Sequence, residues 1–158
     1  MKHHPMIRKR QREAHPRRGA AIVEGAFVLS VLLTVLFGMF DVGLAVLRQN
    51  TLTEAVRVLA RSAIVHGALA NSQVGAWGAG TISTTAADAS PAASVVKPLL
   101  VTMNPSAVSL SLQWLDGDNQ PGHRVVAKLS YQHQPMIPFI LGSAPINLSA
   151  TSTMRIAH

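Results

Sequence analysis

A long apolar stretch near the N-terminus is the strongest pattern in the chain. Over residues 25–47 the only ionisable side chain is Asp41. A helix from Ala20 to Asp41 would rise about 30 Å, which is the thickness of the hydrocarbon core of a bilayer. Glu24 and Asp41 would then lie near opposite interfaces, where a carboxylate stays hydrated. The pattern therefore predicts a membrane-spanning helix.

The helical pattern continues beyond this stretch as an amphipathic segment. Apolar residues recur there at spacings of three and four, and the charged residues lie largely elsewhere. His66-Gly67 is a stop signal, because glycine commonly takes the left-handed position after the last turn. We expect one continuous helix of about fifty residues. Its apolar stripe packs either against the C-terminal domain of the same chain or against a partner subunit in a coiled coil. The stripe consists of Leu52, Ala55, Val56, Leu59, Ala63 and Ile64.

The middle of the chain has little periodic pattern. Residues 67–94 are dominated by Ala, Gly, Ser and Thr, with Trp77 as the one large side chain, which is typical of a loop. Ser90-Pro91 then predicts the start of a short second helix, with Ser90 as its cap and Pro91 in its first turn. Pro98 should end or kink that helix.

The last third of the chain changes to a period of two, which indicates half-buried strands. We expect about three antiparallel strands, with one face on the helix and the other wetted. The predicted fold class is α+β: a long N-terminal helix, transmembrane and then amphipathic, packed on this small sheet, with the short second helix. The apolar positions are Val108, Leu110, Leu112 and Trp114 in the first strand, Val125, Ala127, Leu129 and Tyr131 in the second, and Ile146, Leu148, Ala150, Met154 and Ile156 in the third.

Charge is concentrated at the N-terminus. Seven of the 14 Lys and Arg residues precede Gly19, with Glu13 as the only acid among them, and the rest of the chain is nearly neutral. A basic arm can bind nucleic acid, but here it adjoins an apolar segment and contains no aromatic residue. It therefore favours a membrane orientation with the N-terminus in the cytoplasm, and we expect no nucleic-acid partner. The chain has no cysteine, which excludes disulfides and thiolate metal sites.

Three interpretations of the N-terminal region compete. The first is a cleaved secretory signal peptide, with a poor cleavage site at Gly43-Leu44-Ala45. The second is an unprocessed signal anchor, which leaves Glu24 unexplained. The third is a prepilin-type signal that is cut before the apolar segment, after Gly19, while Arg17 and Arg18 hold the leader in the cytoplasm. Glu24 is then the fifth residue of a mature chain starting at Ala20, where its charge can pair with an amino terminus in low dielectric.

An ordered set of short motifs narrows these alternatives. The set resembles the TadE-like pseudopilins of tight-adherence (Flp) pilus systems, and the end of the chain, residues 131–138 and 146–155, resembles the C-terminal end of the same family. Gly25 and Ser30 depart from it, since an aromatic residue often follows the glutamate and a proline is frequent in the span. The motifs are Gly19-Ala20-Ala21-Ile22-Val23-Glu24, Phe37-Gly38-Met39-Phe40-Asp41-Val42-Gly43, Arg48-Gln49-Asn50-Thr51-Leu52 and Ala55-Val56-Arg57-Val58-Leu59-Ala60-Arg61.

The resemblance implies an organisation and a set of partners. Residues 1–19 are a leader that a prepilin peptidase removes, 20–45 the transmembrane helix, 46–66 its amphipathic continuation and 67–158 an extracytoplasmic α+β domain. The mature protein is then a minor, accessory subunit in the bacterial inner membrane, needed for pilus assembly and adherence. Its partners are other pilins or pseudopilins and the inner-membrane assembly platform. Glu24 neutralises the amino terminus of its own or a neighbouring subunit, and Asp41 lies at the outer interface.

Candidate chemistry elsewhere is sparse, so we expect no enzymatic activity, cofactor, metal or small-molecule substrate. Asp116-Gly117-Asp118-Asn119 predicts a hairpin turn, with a weak cation site as the alternative, because the glutamate that closes an EF-hand is missing. The histidines at positions 66, 123 and 133 lack helical i, i+4 pairing and a nearby acid cluster. The apolar segment 136–141 either is a contact surface for other subunits or for the outer-membrane channel, or packs on the long helix.

Overall fold

The computed structural model describes residues 18–137 and 142–157, and within these ranges the chain is α+β. The predicted fold class is confirmed: a long N-terminal helix, a short second helix and an antiparallel sheet are all present. The chain divides into two units, Met1–Leu36 and Phe37–His158. The described part of the first unit is the N-terminal part of the long helix, and the second unit contains the rest of that helix and the remaining elements.

The long helix, α1, covers Arg18–Val65 without a break. Leucine and alanine, two of the best helix formers, supply 15 of its 48 residues, and it contains no proline. It ends one residue before His66, next to the predicted stop signal. Gly19–Val65 is long and apolar enough to cross a membrane by length and composition, and it is the one such helix in the part of the chain that the structure describes.

A four-stranded antiparallel sheet forms the C-terminal part of the fold. Its strands are β1 (Ile82–Thr85), β2 (Val108–Trp114), β3 (Arg124–His133) and β4 (Ile146–Arg155), and they lie in the order β1-β2-β3-β4. Burial alternates along β2, where each apolar side chain is buried. The prediction of one packed and one wetted face is therefore confirmed.

The predicted number of strands, about three, was too low. The missed strand is β1, which pairs with β2 from Ile82 opposite Leu112 to Thr85 opposite Ser109. It lies inside the range predicted as a loop, and Ile82 is its one apolar residue. A four-residue strand with one apolar side chain is too short to display a period of two, so only its pairing with β2 reveals it.

The core lies between the inner face of the sheet and the C-terminal half of α1. Leu52, Val56 and Leu59 are fully buried, and they pack with Leu110, Leu129 and their neighbours in one cluster. The sequence left two possible packing partners for the apolar stripe of α1, the C-terminal domain of the same chain and a partner subunit. In the structure the stripe packs on the C-terminal domain of its own chain.

The second helix, α2, spans Pro91–Val96 and contributes Ala92 and Val96 to this core. The Oγ of Ser90 accepts a hydrogen bond from the backbone N–H of Ala93 at 3.3 Å, as an N-cap does. A 3₁₀ turn, Lys97–Leu99, follows directly and contains Pro98. The predicted cap and the effect of Pro98 are thus confirmed.

Candidate functional site

The predicted processing region lies in the first turns of α1. Gly19 and Ala20 are exposed, and a side chain added at Gly19 would meet nothing within 4 Å. Glu24 is also exposed, four residues after Ala20, which places the two on the same helix face about 6 Å apart along the axis. Arg17 and the rest of the leader before it lie outside the described residues, and Arg18 is described only as the first residue of α1.

The surface around Glu24 is apolar. Val23, Phe27 and Val28 expose between 60% and 71% of their side-chain surface, and exposed large apolar residues continue to Phe40. Monomeric soluble proteins rarely expose contiguous apolar surface of this extent. The described part of the first unit therefore has the surface of a helix that is covered by lipid or by other apolar helices.

Asp41 differs from its surroundings because it is fully buried. Its Oδ1 accepts a hydrogen bond from the Nε2 of His133 at 3.1 Å, and its Oδ2 accepts one from the backbone N–H of Met136 at 3.0 Å. His133 is fully buried as well, whereas Phe40 and Val42 on either side of Asp41 are exposed. A single carboxylate thus ties α1 to the end of β3 and to the segment that follows it.

Arg48 extends this contact one step further. Its Nη1 lies 2.5 Å from the Nδ1 of His133, its Nε donates to the backbone oxygen of Thr102 at 3.2 Å, and its guanidinium carbon lies 5.4 Å from the centre of the Tyr131 ring. A guanidinium can only donate, so the Nδ1 of His133 accepts and its Nε2 carries the proton that is donated to Asp41. We call Asp41, His133 and Arg48 the Asp41 cluster.

Spacing along the chain gave no sign of the Asp41 cluster, because Asp41 and His133 are 92 residues apart. The available signal was Asp41 itself. An acid in a long apolar helix needs a polar partner when it is buried, and His133 stands at the end of an alternating strand just before Pro135.

The segment after β3 is only partly described. Met136 exposes 64% of its surface although its backbone N–H is held by Asp41. Residues 138–141, which make up most of the apolar segment 136–141, lie outside the described ranges. The two predicted roles of this segment, a contact surface for partners and packing on α1, both stay predictions.

The acidic turn between β2 and β3 is a hairpin, as predicted. Gly117 has a φ of +83°, and Asp116 accepts hydrogen bonds from the backbone N–H and the Nη2 of Arg124 at 2.8 and 2.7 Å. The hydrogen bond and charge of Arg124 lower the pKa of Asp116 to about 2. Asp118 pairs with His123. Both carboxylates therefore have cationic or histidine partners within the hairpin itself.

Asn119 closes the same turn from inside the fold. Its Oδ1 accepts from the Nε1 of Trp114 at 3.0 Å, and its Nδ2 donates to the backbone oxygens of His66, at 3.1 Å, and of Trp77. The rings of His66 and Trp77 also stack, with their centres 4.4 Å apart. Asn119 thus joins the end of α1, the following loop and the hairpin, and its role is structural.

The described residues contain no group of three or more His, Asp or Glu side chains that could hold a metal ion. The ion pairs among these residues join Glu54 to Arg57, Asp118 to His123, Asp116 to Arg124 and Asp41 to His133. Those that join separate elements, such as Asp41 with His133, hold parts of the fold together.

Comparison with known proteins found a match, which lies within α1. The sequence model of the family described as "TadE-like protein" matches residues 19–61. This segment is TadE-like. No curated protein and no solved structure shows a significant match to the chain.

The TadE-like segment begins at Gly19 and ends inside the amphipathic half of α1. It contains Ala20, Glu24, Asp41 and Arg48, so two members of the Asp41 cluster lie inside the matched range and His133 lies outside it. The resemblance predicted for the N-terminal motifs is confirmed. The resemblance of residues 131–138 and 146–155 to the same family lies beyond the matched range and stays a prediction.

Proposed function

We propose that the chain is a minor pseudopilin of a tight-adherence pilus system, needed for pilus assembly and surface adherence. One observation carries the proposal: the TadE-like match over residues 19–61 falls on an apolar helix whose first half exposes its side chains. Such a helix is suited to cross the membrane and to pack against the helices of other pilus subunits. The function is non-catalytic.

In this proposal the N-terminus is made by cleavage. A prepilin peptidase cuts after Gly19 and removes the basic leader, whose arginines Arg17 and Arg18 keep it on the cytoplasmic side. The new amino group belongs to Ala20, one helical turn from Glu24. The exposed carboxylate of Glu24 then pairs with the amino terminus of its own or a neighbouring subunit in the membrane, where the low dielectric strengthens the attraction.

Asp41 has a different part in the same scheme. Both of its oxygens are already bonded within the chain, to His133 and to the backbone of Met136. We therefore propose that its charge pairing is intramolecular and fixes the extracytoplasmic domain, residues 67–158, to α1 at the outer membrane interface. Assembly partners are other pilins or pseudopilins and the inner-membrane platform, with the C-terminal domain in the periplasm or on the assembled pilus.

The experiment that tests this proposal is the intact mass and first residue of the protein recovered from its native membrane. A start at Ala20 supports the pseudopilin. A start at Met1 would instead identify an unprocessed signal-anchored periplasmic protein, and a start near residue 45 a secreted ligand-binding domain released from a signal peptide. Either of these two results overturns the proposal.

A matched pair of variants tests the cleavage site itself. Gly19→Leu should block processing and leave membrane insertion intact, because a peptidase that requires a small residue before the cut cannot accept leucine. Gly43→Leu is the control, since both glycines lie in α1 and a side chain at either position meets nothing within 4 Å. Normal maturation of Gly19→Leu would place the junction elsewhere.

A further inference from the structure

The edge strand β4 presents backbone groups that the sheet does not use. The N–H of Ile156, just after β4, donates to the oxygen of His123, just before β3, and backbone groups point alternately to the two sides of an antiparallel strand. The even-numbered residues of β4 therefore face β3, and the odd-numbered residues face away from it. Gln49 donates to the backbone oxygen of one of these, Ser149, at 2.9 Å. Thr151, Thr153 and Arg155 remain along the outer edge.

Most proteins protect a long edge strand with proline, lysine or a bulge. β4 has ten residues and Arg155 as its only charge, and it contains no proline. The outward backbone groups of Thr151, Thr153 and Arg155 form no backbone hydrogen bond within the described ranges, whereas just beyond the strand the N–H of Ala157 donates to the oxygen of Ile64 in α1 at 3.1 Å. This edge is therefore a candidate for pairing with another strand.

The opposite edge of the sheet is β1, which is short. The N–H of Ala86 donates to the oxygen of Val108 in β2, so the even-numbered residues of β1 face β2. Ser83 and Thr85 face away, and the oxygen of Thr85 already accepts from the N–H of Asp88. Three outward groups are thus available: both of Ser83 and the N–H of Thr85.

An apolar recess of about 250 Å³ adjoins this edge on the inner side of the sheet. Its walls include Trp77, Ile82 and Pro91. On the inner side of β4, Met154 is only half-buried in its own chain. Methionine is flexible and fills irregular apolar gaps, so its side chain is suited to a recess of this kind.

We propose that copies of this chain pair head to tail, with β4 of one copy against β1 of the next. Ser83 then lies opposite Thr153, and Thr85 opposite Thr151. In this register hydroxyl side chains meet on the outer face, and Ile82 of one copy meets Met154 of the other beside the recess. β1 and β3 run in one direction and β2 and β4 in the other, so the new pair is antiparallel like the rest of the sheet.

The direction of α1 selects this arrangement over a symmetric pair of β4 strands. Leu52, Val56 and Ala63 span three turns of α1 and all pack on the sheet, so this part of the helix lies along it. A two-fold axis through two antiparallel β4 strands would reverse α1 in one copy. Head-to-tail pairing keeps every copy in the same orientation, and a head-to-tail contact propagates from copy to copy.

The pairing rests on the proposed function in one respect, that all copies are inserted in one membrane with the same topology. Three backbone hydrogen bonds and one side-chain contact make a weak interface in solution. Confinement of the anchors to one membrane raises the effective concentration of each copy for its neighbours, so a weak interface suffices there.

Disulfide cross-linking tests the pairing, because the chain contains no cysteine of its own. The full-length variant Ser83→Cys/Thr153→Cys, oxidised in its native membrane, should form dimers, trimers and longer ladders on a non-reducing gel. Opposed residues in such a pair have Cα atoms about 5.5 Å apart, within disulfide range. Within one chain the two positions are three strand spacings apart, about 14 Å, so a disulfide there cannot form.

The controls separate head-to-tail pairing from other contacts. Each single variant should stay monomeric, and so should Ser111→Cys/Thr153→Cys, because Ser111 lies on the same face one strand in from the edge. Adding Thr85→Pro to the cross-linking pair should weaken the ladder without removing a bond to β2, since the N–H that is lost faces outward and is one of the three groups that form the new pair. Tryptophan fluorescence checks that each variant is folded.

Absence of a ladder in the folded pair overturns the inference. Dimers from Thr151→Cys alone also overturn it, because they would indicate the symmetric pairing. The proposed function fails separately. If the chain starts at Ala20 but forms no ladder, only the head-to-tail pairing is wrong. If it starts at Met1 and forms a ladder, only the proposed cleavage after Gly19 is wrong.

Discussion

Replacing Asp41 by asparagine should destabilise the second unit by about 3 kcal/mol. Asp41 accepts two hydrogen bonds, from His133 and from the backbone of Met136, and an amide can accept only on its oxygen. One buried donor then faces the amide nitrogen, which costs about 2 kcal/mol, and the remaining bond loses its charged acceptor, which costs about 1 kcal/mol more. His133 cannot adjust, because Arg48 occupies its other ring nitrogen.

The assay is urea unfolding of the full chain in detergent micelles, followed by tryptophan fluorescence. Trp77 and Trp114 both belong to the core of the second unit, so they report its unfolding. A loss of about 3 kcal/mol shifts the midpoint by about 1 to 3 M. Glu54→Gln is the matched control, because Glu54 is exposed and pairs only with Arg57 in the described structure. That change should cost about 0.5 kcal/mol or less.

A second measurement isolates the role of Arg48. In an Arg48→Met background the His133 ring is free to carry its proton on Nδ1 and to accept from the new amide at Nε2. Asp41→Asn should therefore cost less in that background than in the native chain. Equal midpoints for Asp41→Asn and Glu54→Gln, or the same cost in both backgrounds, would contradict the proposed bonding of the cluster.

Three further predictions concern other sites. Asn119→Ala should lower the stability of the second unit by several kcal/mol, since it leaves buried groups of the loop and hairpin unpaired; urea midpoints near that of the native chain would refute this. The pKa of Asp116 is lowered by Arg124 to about 2, so the stability that this carboxylate contributes is present above about pH 4 and is lost as the pH falls toward 2. The stability difference between the native chain and Asp116→Asn, measured by unfolding at several pH values, should shrink over that window, and a constant difference would count against it. Glu24→Leu should leave membrane insertion intact but reduce co-purification of partner subunits, and undiminished co-purification would remove the pairing role of Glu24.

Local sequence pattern predicted the elements that are long or strongly periodic. The alternation from Val108 to Trp114 fixed both the existence of β2 and the face that it buries, because every second side chain enters the core. Ser90-Pro91 predicted the start of α2, because a cap and an N-terminal proline act within one turn. In these places the physical cause lies within a few residues of its effect.

Features that depend on contacts between residues far apart in the chain could not be predicted from local sequence pattern. β1 exists because β2 offers it a partner, and its four residues carry no periodic signal of their own. Asp41 was predicted at an interface because it is polar, whereas its burial requires His133 and Arg48 to arrive from other elements. Sequence thus indicated that Asp41 is exceptional, and only the fold shows what satisfies it.

The distance between Asp41 and Leu52 has a mechanical consequence. Both side chains attach α1 to the rest of the second unit, and they lie about 16 Å apart along the helix axis. One attachment point would act as a pivot, about which a sideways load at Phe37 could turn the helix. Two attachment points resist this torque. A load applied to α1 at Phe37 is therefore carried by the hydrogen bonds of Asp41 and passes directly to the end of β3. The angle of α1 on the sheet is thereby held by polar contacts at one end and by apolar packing at the other.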